Sequence, residues 1–286
     1  LVLYSPESLI FRSVEADPWR VLSVRGLLGA AGIALVLVIH RRRSLGIGDV
    51  AMGRAGWWTA AMSAVSSAMF VLALRLAEAA TVLVILATAP MFAALMARAF
   101  GVERIRRRTW LATVVVVTSL VALFGEKVGE GSLLGLAAAL AATVFLAAYL
   151  TIIRAARAVN LVAALGLGHL VTALLGGVIS GWVWLGPRDF ALVAIDGLAI
   201  LPVATTMLAL GPRFLPAPEV ALLLPIETTL GSLWTWLALG EAPTVRTLIA
   251  GSVVVTTVAV HAFFSLRASG HLPEVDSPDL SRYGFG

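Results

Sequence analysis

Nine long apolar runs dominate this chain, and each is close to the length that crosses a bilayer. They are Val21–Ile39, Gly56–Leu74, Ala79–Ala97, Thr109–Phe124, Leu133–Ile153, Leu161–Leu185, Phe190–Leu210, Val220–Leu239 and Thr247–Leu266. A helix needs about 20 mostly apolar residues to cross the hydrocarbon. Within lipid every backbone N–H and C=O must be satisfied by the spanning structure itself, so segments of this length are helices. Only 13% of the 286 residues are charged and mean hydropathy is +0.98, against about 25% charged residues in soluble domains. The loops between the runs are short, which leaves no room for a separate soluble domain of even ~50 residues.

The first residues, Leu1–Phe11, are also mostly apolar but contain Pro6 and Glu7 and are too short to span. Leu1–Ser13 reads as the second half of a first helix whose beginning is not part of this chain, giving ten spans. A basic start, apolar core and small-residue cleavage site, the marks of a signal peptide, are not visible.

Composition narrows the chemistry. The chain has no Cys and no Gln, one Asn (Asn160) and one Lys (Lys127), so thiolate metal sites and disulfides are excluded. A phosphate-cradling loop needs Lys followed by Ser or Thr, whereas Lys127 is followed by Val128. No metal or cofactor is expected. The net charge of +5 reflects Arg kept in cytoplasmic loops rather than nucleic-acid binding. With both ends cytoplasmic, fourteen basic residues lie inside, including Arg41, Arg42, Arg43, Arg104, Arg106, Arg107 and Arg108. Seven lie outside: Arg12, Arg20, Arg25, Arg75, Lys127, Arg188 and Arg246. This two-to-one bias follows the positive-inside rule.

The chain also repeats itself. A shift of 138 residues places Met69, Leu72, Arg75, Ala79, Val82, Glu103, Arg108 and Thr109 on Met207, Leu210, Arg213, Ala217, Val220, Glu241, Arg246 and Thr247. Five spans separate the copies, an odd number, so the second is inverted relative to the first. Inverted repeats are an architecture of secondary transporters.

Ala89-Pro90 followed by Glu103, Leu224-Pro225 followed by Leu239-Gly240-Glu241, and the basic close His40-Arg41-Arg42-Arg43 resemble the drug/metabolite transporter superfamily in its ten-helix, EamA-type form. Within it the chain is most similar to bacterial exporters of aromatic amino acids. The resemblance implies an all-α integral membrane fold of ten transmembrane helices in two inverted five-helix repeats, residues 1–126 and 131–266, with a cytoplasmic tail at 267–286. It implies a non-enzymatic secondary transporter of the bacterial inner membrane. Such a carrier would export aromatic and other apolar amino acids and related amphipathic metabolites by alternating access, with protons as a candidate coupling ion. The alternative cargo is drugs or cationic compounds.

Ionisable groups in hydrocarbon are costly and mark functional candidates. Glu227 stands two residues after Pro225, with Thr228, Gly231 and Thr235 on or beside its helix face. It suits a proton site or a partner for a substrate ammonium, and equally a structural hydrogen bond to a neighbouring helix. Asp196 either pairs with an Arg or snorkels to the outer interface, and Arg25 either reaches headgroups or binds an anion. His169 lies on a ladder of small residues, Gly168, Thr172, Gly176 and Ser180, which is first a packing face; His169 is an interhelical donor or a cavity residue. His261, near the end of the last run, reads as structural. Pro90, Pro202 and Pro225 fall inside runs, where a missing N–H and a ring clash loosen a helix; they are the expected hinges. With no Gln and one Asn, a cavity would rely on hydroxyls, aromatic rings and thioethers. Thr88, Met91, Tyr149, Met207 and Trp234 complete the expected substrate-binding set with Glu227, Thr228, Gly231 and His169.

Two other function classes lack their parts. A channel would need a ring of selectivity ligands, and no T-V-G-Y-G string occurs. A membrane-embedded enzyme would need a catalytic set, and neither H-E-x-x-H nor G-x-S-x-G is present. Gly46-Ile47-Gly48-Asp49 matches the G-x-G-D string of intramembrane aspartyl proteases, but it sits in a polar loop without a partner Asp in a Tyr-Asp pair. The topology is directly testable: a reporter fused after Gly286 that fluoresces only in the cytoplasm is expected to light up. Strong periplasmic phosphatase activity from the same fusion point would rule out ten helices with both ends inside.

Overall fold

The computed structural model describes residues 13–43, 52–77, 79–102, 107–124, 132–156, 159–224, 237 and 245–269. Among these every regular element is helical: α1 (Pro18–Arg43), α2 (Gly53–Leu76), α3 (Ala79–Leu86), α4 (Ala89–Ala99), α5 (Arg107–Phe124), α6 (Leu133–Ala155), α7 (Val162–Ser180) and α8 (Pro187–Ile195). A π-helical segment, Asp196–Ile200, then leads into α9 (Leu201–Phe214), α10 (Ala217–Leu222) and α11 (Val245–Ser269). Six stretches among the described residues are long and apolar enough to cross a membrane: Pro18–His40, Gly53–Leu76, Thr81–Ala99, Leu133–Ala155, Val162–Ser180 and Pro187–Gly211. They correspond to six of the nine apolar runs. The runs starting at Thr109 and Thr247 lie in α5 and α11, and Leu248–His261 is the apolar part of the latter. Of the run Val220–Leu239, only residues to Leu224 and Leu237 fall within the description.

Two expectations about helix continuity are corrected. The run Leu161–Leu185 does not stay helical to its end, because α7 stops at Ser180. Gly181 there adopts φ 71°, a left-handed conformation that a glycine enters without a Cβ penalty. Trp182 follows with φ 57° and donates its backbone N–H to the Gly177 carbonyl at 2.8 Å. The run Ala79–Ala97 is not one helix either. It turns at Ala87 and Thr88, and α4 restarts with Pro90 in its first turn, where the absent N–H leaves no bond unmade.

Helix α6 is the centre of the bundle. It packs against α2, α3, α4, α9 and α10, and its buried face runs through Ala138, Ala142, Leu146, Leu150 and Ile153. Leu146, Leu150 and Ile153 of that face join Ala89 and Ala93 of α4, Ile33 of α1 and Leu161 and Leu165 at the start of α7 in one apolar core. A second core joins Val84, Val116, Leu120, Leu222, Val254 and Val258, tying α5 and α11 to α3 and α10. Opposite faces carry large exposed apolar side chains, such as Leu111 and Val114 on α5 and Leu174 and Val178 on α7. In water such patches would drive association; on helices this apolar they suit contact with lipid.

Lipid tails are as apolar as Leu, so hydrophobicity does not press membrane helices together, and small residues that allow close backbone approach do. The α1–α7 contact shows this. A Cβ on Gly26 would stand 2.6 Å from the His169 carbonyl oxygen and 2.9 Å from the Ala173 Cβ, while one on Gly176 would stand 2.8 Å from the Trp19 carbonyl oxygen. Gly26→Leu is therefore expected to destabilise the protein by about 1–3 kcal/mol through overpacking and to lower its melting temperature in detergent. Gly186→Ala is the control, since nothing lies within 4 Å of its Cβ position, and it should melt near the wild type. Equal melting of Gly26→Leu and the control would show that the α1–α7 contact is looser than described.

Candidate functional site

The glycine face of α1 does more than admit α7. Gly29 and Gly32 meet Leu201 and Pro202, and Gly197 packs against Leu28 with its Cβ position 3.3 Å from the Arg25 carbonyl oxygen. The same short stretch of α1 is thus enclosed by α7 on one side and by the π-helical segment and α9 on the other. Into this junction the sequence delivers four polar side chains: Arg25 from α1, His169 from α7, Asp196 from the π segment and Thr205 from α9.

Arg25 Nε donates to Asp196 Oδ2 at 2.6 Å. The side chains are 14% and 1% exposed, respectively, so this is an ion pair almost wholly removed from solvent. Asp196 stands nine residues beyond Pro187, about 14 Å along the axis at 1.5 Å per residue, well inside a hydrocarbon layer about 30 Å thick. Each charge alone would cost about 2.5–3.5 kcal/mol there on insertion scales, and pairing offsets part of that. Of the two alternatives open for Asp196 the structure chooses pairing with an Arg, and Arg25 supplies it, a partner not among the two roles expected for that residue. Asp196 Oδ1 is buried with no hydrogen-bond partner among the described residues.

The local backbone explains why Asp196 can be placed there. Pro202 lacks the N–H that an α-helix would use at that position, and its ring crowds the preceding turn. The chain answers with one π turn immediately upstream, in which the Leu201 N–H donates to the Asp196 carbonyl five residues back. Such π turns recur at functional sites. Beside the pair, His169 Nε2 and Thr205 Oγ1 share a hydrogen bond at 3.0 Å, with Gly29 facing the imidazole. His169 is therefore an interhelical hydrogen-bonding group, and the same residue borders the charged pair.

The other expected site residues lie elsewhere. Tyr149 is buried on α6 in the same apolar core as Ala89 and Ala93. Thr88 sits at the break between α3 and α4 and donates its hydroxyl to the Ile85 carbonyl at 2.6 Å. Met91 and Pro90 follow in the first turn of α4, half-buried and buried. Met207 is 56% exposed on α9. Pro202 is buried against Gly32. Glu227, Thr228, Gly231, Trp234 and Pro225 lie outside the described residues.

Sequence reasoning missed a second charged cluster at the opposite end of the bundle. Glu219 in α10 is buried, with its Oε1 3.7 Å from Arg108 Nη2 and 3.8 Å from His261 Nε2. Arg108 Nη1 also donates to the Phe264 carbonyl at 2.7 Å. These residues link α5, α10 and α11. The available signal was the position of Glu219, one residue before the apolar run beginning at Val220. At the Arg25 end an exposed pair, Asp17 and Arg75, adds a surface contact between the start of α1 and the end of α2; Asp17 Oδ1 also accepts the Trp19 N–H at 2.9 Å. No group of three His, Asp or Glu side chains that could hold a metal ion occurs among the described residues.

A buried ion pair responds asymmetrically to substitution. Removing one partner strands the other charge and costs about 3–5 kcal/mol, whereas replacing both with apolar residues of similar volume is often neutral. Asp196→Leu alone is therefore expected to lower stability by about that amount, and Arg25→Met with Asp196→Leu to recover most of it, read from unfolding in mild detergent. A double variant as unstable as the single one would contradict the pairing.

Residues 3–125 match the family model of the EamA-like transporter family. A crystal structure of a protein 19% identical to this chain superposes with a TM-score of 0.77, covering 93% of this chain and 94% of that one. At that identity the likeness is one of fold. No curated protein matches the chain. Six helices among the described residues are long and apolar enough to cross a membrane.

Proposed function

We propose that this chain is a secondary transporter of small solutes, and that the match of residues 3–125 to the EamA-like transporter family, on a chain with six membrane-length helices, is the observation that carries the proposal. The finer reading is a ten-helix carrier of two inverted repeats, residues 1–126 and 131–266, with the tail 267–286 in the cytoplasm of a bacterial inner membrane. It exports aromatic and other apolar amino acids and related amphipathic metabolites by rocking one repeat-derived bundle against the other.

Two features of the chain support movement of this kind. Helices α3 and α4 are separated by a turn at Ala87 and Thr88, and the span Pro187–Gly211 contains a π segment before Pro202. Discontinuous helices are where transporters place substrate, because freed backbone groups and helix ends face a cavity there. Around such a cavity we assign Glu227, Thr228, Gly231 and Trp234 to the substrate, with Tyr149, His169, Thr88, Met91 and Met207 as further contacts and Pro90, Pro202 and Pro225 as hinges. The carboxyl of Glu227 supplies a partner for an ammonium or a proton. The aromatic and thioether groups suit an apolar side chain.

Counterflow of labelled amino acids in proteoliposomes tests this reading. A carrier accumulates label transiently by exchange, a channel only equilibrates it, and an enzyme returns a changed compound. Glu227→Gln keeps the shape and removes the charge, so it is expected to slow counterflow at least tenfold with unchanged expression and melting. Native rates and native pH dependence in Glu227→Gln would remove Glu227 from the site. Equilibration without counterflow for every amino acid tested would remove the carrier.

A further inference from the structure

Asp196 carries a feature that ion pairing alone leaves unexplained. Its Oδ2 accepts from Arg25 Nε at 2.6 Å, yet its Oδ1 is buried with no hydrogen-bond partner among the described residues. A guanidinium can clasp both oxygens of a carboxylate in a fork; here it takes one. The free oxygen belongs to a side chain 1% exposed, seated on a π turn that an ordinary α-helical register would not produce. An unmet acceptor in such a place is normally explained by a task or by an unseen donor.

From this geometry we infer that Asp196 is a proton-binding site and that its pair with Arg25 is a latch released by the proton. The inference rests on the transporter reading above but assigns a residue and an event that reading does not contain. A proton from water adds to Oδ1, the carboxylate becomes a neutral carboxyl, and no other covalent bond changes. The Arg25 Nε···Oδ2 contact then loses its ionic component. What that contact joins is α1, from the first half of the sequence, to the π segment leading into α9, from the second half. The anionic carboxylate holds the two together, and the proton releases them. Gly29 and Gly32 of α1 seat Leu201 and Pro202, and Gly197 seats Leu28, so a movement of one element is passed to the other. The π turn supplies an element with a second arrangement, since reverting to α-helical register would rotate Asp196 relative to Arg25.

The charged and titratable groups around Asp196 are few. Arg25 faces it from α1, and His169, hydrogen-bonded to Thr205, is the group on α7. Arg188 and Asp189 stand in the first turn of α8, about two turns away. Among the described residues His169 is the competing source of a pH response, and the test separates it from Asp196.

The absence of Cys from the chain permits clean labelling. Cysteines placed at Ala31 on α1 and Ile195 at the end of α8, both exposed, carry spin labels, and their separation is measured in proteoliposomes without substrate across a pH series. The label pair is expected to shift in one protonation step. Asp196→Asn should hold the low-pH separation at every pH, Asp196→Glu should keep a step, and His169→Gln should keep the original step. Should Asp196→Asn not fold, Arg25→Gln with Asp196→Asn removes both charges of the pair and should show no step. A flat series in the wild-type background, a step that survives in Asp196→Asn or in the double variant, or a step lost in His169→Gln overturns the proposal. Counterflow in the same liposomes keeps the two readings apart. Counterflow with a flat label series overturns the proton latch and leaves the carrier standing, whereas a step without counterflow supports the latch and counts against the carrier.

Discussion

Placing an arginine and a carboxylate together inside the membrane thickness is the constraint on which the rest of this bundle turns. Neither charge is tolerable there alone, so α1 and the segment at Asp196 have to meet, and at a fixed height. Beside the 2.6 Å contact the two backbones also come close, through Gly29 and Gly32 of α1 against Leu201 and Pro202 and through Gly197 against Leu28. Pro202 and the π turn set the angle at which Asp196 is presented, and α7 fills the remaining side with His169 bonded to Thr205. Around this junction the core on α6 is assembled by apolar packing, and the one between α5 and α11 is joined by the Arg108, Glu219 and His261 cluster.

Charge is concentrated at two levels of the bundle. Toward one end lies the Arg25–Asp196 pair, about two helical turns below the surface pair of Asp17 and Arg75; toward the other lie Arg108, Glu219 and His261. The first joins an early helix to a late one, and the second joins α5 to α10 and α11. A carrier that opens alternately to either side needs contacts of moderate strength at both ends that can be exchanged for one another. Ion pairs meet that requirement better than apolar contacts, because a proton or a ligand can change their strength without changing the packing around them.

Much of the architecture was legible because the bilayer imposes one length and one secondary structure on apolar runs. The runs beginning at Val21, Gly56 and Leu133 correspond closely to α1, α2 and α6. Hydropathy is blind to what happens within a run. It passed over the left-handed stop at Gly181, the turn at Ala87 and Thr88, and the π segment before Pro202, since all of these keep their apolar composition. The candidate site was half legible. Arg25, Asp196 and His169 stood out as costly residues, but 171 residues separate Arg25 from Asp196, and no local spacing announces such a pairing. Glu219 escaped notice because it borders its run and looks like a loop residue. The role given to Glu227 still rests on its helix face as read from the sequence.

The account stands or falls on whether Arg25 and Asp196 act as one unit. The direct measurement is a double-mutant cycle in lipid nanodiscs using the isosteric, uncharged replacements Arg25→Gln and Asp196→Asn, with unfolding free energies for the wild type, each single variant and the double variant. Residues in one ion pair couple by about 0.5–3 kcal/mol. The account predicts a coupling in the upper part of that range, with the double variant markedly more stable than the sum of the single losses allows. Losses that simply add would mean that the two charges do not depend on each other, and the junction between α1 and the π segment would need another explanation.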